Sequence, residues 1–226
     1  MLSDELKTLA APIVADICQH PFVTGLKDGK LPKEALITYV EQDTYFLTAF
    51  AKAYALALTK CPQRDAMLLL SEGITMSLID ESSAHRVLLR GTGALLEDLQ
   101  NHPPRPETYA YTAHLLAVAE TGTLPETIAA LLPCPWTYEW VAKRLGEAIT
   151  LGHPFYDWFQ FYSPDSEDTD MAIVQSLFDL LDSQAVALTP AELQAVKAAF
   201  LRSCEYEWRF WDQAYHQLDW RYPIAH

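Results

Sequence analysis

One cysteine in this sequence stands in a setting that packing alone does not call for. Cys134 lies between two prolines in Leu131-Leu132-Pro133-Cys134-Pro135-Trp136. Proline disfavours helical geometry in the residue before it, so Pro135 strains or interrupts a helix at the cysteine. If a helix restarts there, Pro135 takes its first position, Cys134 caps it, and the free amides of the positive helix end lower the thiol's pKa. If the helix continues, the prolines kink it and free a backbone carbonyl nearby. A buried, space-filling thiol is the third account, and it is the simplest one for Cys18, Cys61 and Cys204.

Carboxylates on apolar helix faces are the second signal. Asp43 falls within Leu36, Val40, Phe46, Leu47, Phe50, Tyr54 and Ala57 at helical spacing. A carboxylate there loses hydration and must be paired or hydrogen-bonded, either to a ligand or to a buried tyrosine or tryptophan. Glu207 falls within Val196, Phe200, Ser203, Cys204, Phe210, Trp211 and Ala214, whereas Glu205 lies with Arg209 and Asp212 on the wet side. Desolvation raises a carboxyl pKa and suits it to proton transfer, although a buried ion pair leaves the same pattern. Glu81 and His85, on a face with Met67, Leu70, Ile74, Leu78 and Leu88, can bond each other or serve as two metal ligands. The paired Glu-x-x-His motifs of di-iron bundles are missing, so they read as a supporting pair without metal. Tyr111 and His114 share a helix face, which core packing explains as well as a site does.

The elements that must position these groups are helices. Periodicity predicts helices over 3–19, 33–60, 63–90, 106–121, 124–149 with a disturbance at its prolines, 153–162, 168–186 and 190–217. Pro32 and the Thr189-Pro190-Ala191-Glu192 segment are good helix starts. His-Pro-Phe occurs at His20 and again at His153, too short a repeat to indicate duplication. With no linker and such long helices, residues 1–226 read as one all-α domain, a multi-helix bundle.

Composition narrows the function. A net charge of −14 repels phosphate backbones and anionic membranes, so neither nucleic acid nor membrane is the expected partner. The most apolar stretch, Leu47 to Leu58, carries Lys52 and is too short to span a bilayer. Four scattered cysteines without a C-x-x-C pair, and no secretory pattern at Met1-Leu2-Ser3-Asp4, fit a cytoplasmic protein with reduced thiols.

Seven segments in this order resemble the TenA family (thiaminase II, aminopyrimidine aminohydrolase) over nearly the whole chain: His20 to Phe22, Tyr39 to Tyr45, Glu81 to His85, Tyr109 to His114, Leu131 to Cys134, Gly152 to Pro154 and Glu207 to Trp211. The resemblance implies a haem-oxygenase-like bundle assembled as a homodimer or homotetramer. It also implies hydrolysis of 4-amino-5-aminomethyl-2-methylpyrimidine, and more slowly of thiamin, to the hydroxymethyl pyrimidine used in thiamin salvage. By the same resemblance Cys134 is the nucleophile and Glu207 the general acid/base, Asp43 bonds the aminopyrimidine, Tyr111 and Tyr138 line the pocket, and Tyr162 holds the cysteine or the leaving group. Glu81 and His85 support them, and neither metal nor cofactor is required. Phe46 replaces a tyrosine that often contacts the cysteine in the family, which removes a hydroxyl from the site. Two alternatives remain: a metal-dependent oxidase with Glu81, His85 and Asp43 as ligands, and a non-catalytic pyrimidine-binding or regulatory protein.

Overall fold

The computed structural model describes residues 1–163 and 172–222. Among these, the regular elements are helices and no strand is present. They are α1 (Leu2–Gln19), α2 (Pro21–Asp28), α3 (Lys33–Lys60), α4 (Arg64–Thr75), a π-helical turn (Met76–Asp80), α5 (Glu81–Leu89), a 3-10 turn (Leu96–Asp98), α6 (Pro106–Thr121), α7 (Leu124–Leu131), α8 (Pro133–Gly146), α9 (Tyr156–Tyr162), α10 (Ala172–Ala185) and α11 (Pro190–His216). The expected helix at 168–186 is found as α10, and residues 168–171 lie outside those described.

Two long helices organise the bundle. α3, of 28 residues, packs on α4, α6, α7 and α11, and α11, of 27 residues, packs on α1, α3, α6, α7 and α8. Their apolar faces meet through aromatic side chains. Trp211 of α11 stacks on Tyr39 of α3 with centroids 5.1 Å apart, and Phe22 of α2 lies against both. Fully burying one such side chain contributes roughly 1.5–3 kcal/mol, with about another 0.5–1.5 from the ring geometry. At the start of α11 the Thr189 hydroxyl accepts from the Glu192 amide while the Glu192 carboxylate accepts from the Thr189 amide, the reciprocal cap that the residue types predict.

α2 is absent from the sequence reading. Its cap is a histidine: Nδ1 of His20 accepts from the Phe22 amide at 3.1 Å, Pro21 takes the first position, and Gly29 at φ 65° ends the helix about two turns later. His153 repeats the device, accepting from the Phe155 amide at 3.2 Å. The repeated tripeptide is therefore a local chain-entry motif. The prolines at 133 and 135 divide the expected 124–149 helix into α7 and α8, joined by the single helical residue Leu132. The expected 63–90 helix is likewise divided, by the π turn.

Candidate active site

A cavity of about 220 Å³ opens among α3, α4, the π turn, α8 and α9. Asp43, Tyr138 and Tyr162 line it, and so do Cys134 and Glu81. The last two are partly buried where they stand on this wall.

α3 supplies one wall through Asp43, Leu47, Phe50 and Tyr54, spaced i, i+4, i+7 and i+11. Phe46 stands about 60° away from Asp43 around the helix axis, at about 100° per residue. It therefore turns out of the cavity into the core, packing on Phe50, Tyr111 and Phe210 at centroid distances of 5.2, 4.8 and 5.8 Å. Phe46, expected among the substrate-binding residues at the position of the family's tyrosine, sits behind the cavity wall. Tyr54, read from sequence only as part of an apolar face, lines the cavity and takes up the space left by Gly73. A β-carbon at Gly73 would lie 2.5 Å from the Tyr54 ring.

The carboxyls form three hydrogen-bonded pairs. Asp43 Oδ2 is 2.7 Å from His85 Nε2, both side chains buried. Burial pushes the His85 imidazole down, but the Asp43 hydrogen bond and the charges of Asp43 and Glu81 outweigh it and raise its pKa, favouring an imidazolium on an aspartate. The Tyr162 hydroxyl donates to Glu81 Oε2. Burial and the Asp43 charge push the Glu81 carboxyl up to about 7, against the Tyr162 hydrogen bond and the His85 charge. The Tyr111 hydroxyl donates to Glu207 Oε1 at 2.6 Å. Glu207 is 2% exposed, and burial pushes its carboxyl up to about 8 although the Tyr111 bond resists. Glu81 and His85, expected to bond each other, thus take different partners.

Cys134 is the second residue of α8, with Pro133 before it and Pro135 after it in the first turn, where no backbone N–H is needed. It is not the cap, and its thiol moves opposite to what the cap reading implies. Burial, then the charges of Glu207, Glu81 and Asp43, push its pKa well above the ordinary value. Three carboxyls around a desolvated sulfur outweigh a helix end, whose favourable effect is only about 0.3–1 kcal/mol in exposed settings.

Tyr138 lines the cavity and bonds its hydroxyl to Tyr39, between the rings of Tyr162 and Trp211. Tyr111 lies outside the lining and reaches the site through Glu207. His114, its neighbour on α6, bonds Ser203 at 3.2 Å. The π turn brings Met76 and Ser77 to the wall, with the Ser77 hydroxyl donating to the Gly73 carbonyl at 2.6 Å. Ser77, not the expected Leu78, takes the inward position; Leu78 is 58% exposed. Only the glycine at 73 and the density of small residues near it signalled a close approach. Among the described residues no three His, Cys, Asp or Glu side chains gather to hold a metal ion, and no helix is long and apolar enough to cross a membrane.

Comparison with known proteins is consistent across sequence and structure. Residues 8–217 match the family described as TENA/THI-4/PQQC. An aminopyrimidine aminohydrolase of Helicobacter pylori is 34% identical over 216 residues, 95% of this chain and 98% of the relative. A TenA homologue from P. horikoshii OT3 superposes with a TM-score of 0.82 at 27% identity, over 96% of this chain and 99% of that one. A domain with a heme oxygenase-like fold from Shewanella denitrificans OS217 superposes with a TM-score of 0.66 at 19% identity, over 96% and 91% of the chains, which establishes the fold alone.

Proposed function

We propose that this chain, which belongs to the TENA/THI-4/PQQC family, is an aminopyrimidine aminohydrolase that uses Cys134 as nucleophile. The observation that carries the reading is Cys134 on the wall of a cavity with Asp43, with Glu207 behind that wall and close enough for its charge to push the thiol's pKa up. The substrate is 4-amino-5-aminomethyl-2-methylpyrimidine, with thiamin cleaved more slowly, and the product is the hydroxymethyl pyrimidine for thiamin salvage.

The residues divide the reaction between them. Asp43, held by His85, accepts from the pyrimidine's amino group, and Tyr138 lies against the ring. Glu207 is predominantly protonated at neutral pH. Tyr111 donates to Oε1 and Thr137 also bonds the carboxyl, so the acid is held in place by two hydroxyls. The thiol adds across a carbon–nitrogen double bond of the electron-poor ring. Glu207, behind the wall that carries Cys134, is the proton reservoir for this addition: it supplies the proton that the ring nitrogen gains and takes the one that the sulfur gives up, so no free thiolate is needed beside three carboxyls. The dihydropyrimidine formed can expel the group on its exocyclic methylene. Water then adds there, and reversal of the first step restores the aromatic ring and the thiol.

The exposed Leu68, Leu78 and Ile79 offer apolar surface for a homodimer or homotetramer, and the four free cysteines suit the reducing cytoplasm. Cys134→Ala is expected to abolish ammonia release from the aminomethyl pyrimidine, at least 10³-fold, while the folded protein still binds the pyrimidine by calorimetry. A variant with wild-type turnover would overturn the assignment.

A further inference from the structure

Three carboxylates line the cavity, and two are committed. Asp43 is held by the His85 imidazole, and Glu139 is ion-paired with Lys143 one turn along α8. Glu81 gives Oε2 to the Tyr162 hydroxyl, and its Oε1 takes no hydrogen bond among the described residues. The remaining wall around it is largely apolar, with Leu47, Phe50, Phe161 and Ile173. An ammonium entering such a cavity loses its hydration, at a cost of several kcal/mol, unless it meets a charge.

We infer that Glu81, positioned by Tyr162, is the leaving-group carboxylate of this site: it binds the substrate's ammonium and later accepts a proton from the water that replaces ammonia. The inference rests on the amine-releasing reading above and adds a chemical role to it. In the thiol adduct, the electron pair of the protonated ring nitrogen moves through the ring to form the exocyclic double bond. The carbon–nitrogen bond to the methylene breaks, and nitrogen departs with its electron pair as neutral ammonia. A solvent water adds to the methylene, its oxygen forming the new carbon–oxygen bond and its proton passing to Glu81 Oε1. Ammonia takes that proton and leaves as ammonium, which resets the carboxylate. Substrate ammonium and water are consumed, alcohol and ammonium are formed, and no oxidant or reductant enters.

Three features of the structure fit this role. The π turn, a widened helical turn of the kind found at functional sites, brings Glu81 to the cavity together with Met76 and Ser77. The bond from Tyr162 comes from α9, a separate helix that packs on α5, so the carboxyl is braced independently of the nucleophile's own helix. The groups facing Glu81 are Asp43 from α3, His85 and Asp80 on its own segment, and Tyr162 from α9, and together with burial they hold its carboxyl near 7, where it can exist in both states during one turnover.

Thiamin separates this role from a structural one. Its leaving group departs as a neutral thiazole and presents no N–H to a carboxylate. In Glu81→Gln, ammonia release from the aminomethyl pyrimidine is expected to fall about 100-fold, and single-turnover thiazole release from thiamin less than 10-fold. Glu81→Asp should restore part of the lost preference. If Glu81→Gln does not fold, as judged by its circular dichroism melt, Tyr162→Phe carries the same comparison and should move the ratio in the same direction about fivefold. Equal losses on both substrates in either variant would overturn the leaving-group role. A wild type that releases neither ammonia nor thiazole would instead overturn the reaction assigned above.

Discussion

Glu207 and Glu81 are built alike and end in different situations. Each carboxyl takes a tyrosine hydroxyl, and burial raises each from an ordinary 4.5, to about 8 and about 7 respectively. Glu207 stands on an uninterrupted helix and lies in the core beside the cavity; Glu81 follows a π turn and lies on the cavity wall. Burial raises both carboxyls towards neutrality, and what separates them is access: one is sealed behind the wall and the other faces the cavity. Under the roles proposed above, placement relative to one cavity divides acid from base between two chemically identical side chains, the separation that acid–base pairs in active sites require.

The strongest way to break this comparison is to remove the sealed acid. Glu207→Gln is expected to lower kcat on the aminomethyl pyrimidine by about 10²–10⁴, with the affinity for the hydroxymethyl product changed only a few-fold. Both leaving groups should suffer equally, because addition to the ring precedes either departure. A selective loss of ammonia release in this variant would erase the division between the two carboxyls. The stability of the same variant has a definite sign. A carboxyl raised in the fold binds more protons when folded, so it costs stability as pH rises from 4.5 towards 8. Glu207→Gln should therefore melt several degrees higher than wild type at pH 8, and lose that advantage at pH 4.5, where the wild-type carboxyl is protonated in the fold.

The same contrast explains what was legible in the sequence. Glu207 could be found because α11 is regular from its Thr189 cap to His216, so the spacing of Val196, Phe200, Phe210 and Trp211 fixes its buried face. Asp43 was legible on α3 for the same reason. Glu81 is legible in the sequence but its partner is not: helical spacing pairs it with His85, while the folded chain gives His85 to Asp43 and Glu81 to Tyr162, contacts between residues 42 and 81 positions apart. Local spacing carries no information about such partners. Phe46 shares a broad apolar face with Asp43, but that face is wide enough to serve both the cavity and the core, and only packing divides it. The raised thiol pKa is not legible because local sequence displays the helix end and hides three carboxyls brought from other helices.

A smaller effect tests the wall that carries Glu81. Gly73 is one turn before the π turn and leaves room for the Tyr54 ring. Gly73→Ala places a methyl group against that ring, and neither the helix backbone nor the buried tyrosine can yield freely. A loss of about 1–3 kcal/mol is expected, the usual cost of overpacking, read as a lower midpoint in denaturant. If the comparison between the two carboxyls holds, the variant's residual activity should show a larger loss on the aminomethyl pyrimidine than on thiamin, since the disturbed wall is Glu81's. A wild-type midpoint would show that Tyr54 moves without cost.

The finest test leaves both carboxyls in place and removes one hydroxyl. Tyr111 donates to Glu207 and so favours its ionised form, holding the carboxyl below the value that burial alone would set. In Tyr111→Phe the carboxyl should rise further, and the alkaline limb of the kcat profile, set in wild type by loss of the Glu207 proton at about 8, should move to higher pH. The rate at neutral pH should fall only about fivefold, in keeping with a hydrogen bond worth ~1 kcal/mol to an acid that keeps its proton and loses an orienting partner. Ammonia and thiazole release should decline together, in contrast to the selective change expected from removing the matching hydroxyl of Tyr162. An alkaline limb that moved to lower pH would mean that Tyr111 does not act on Glu207, and that the two tyrosine–carboxyl pairs are alike only in appearance.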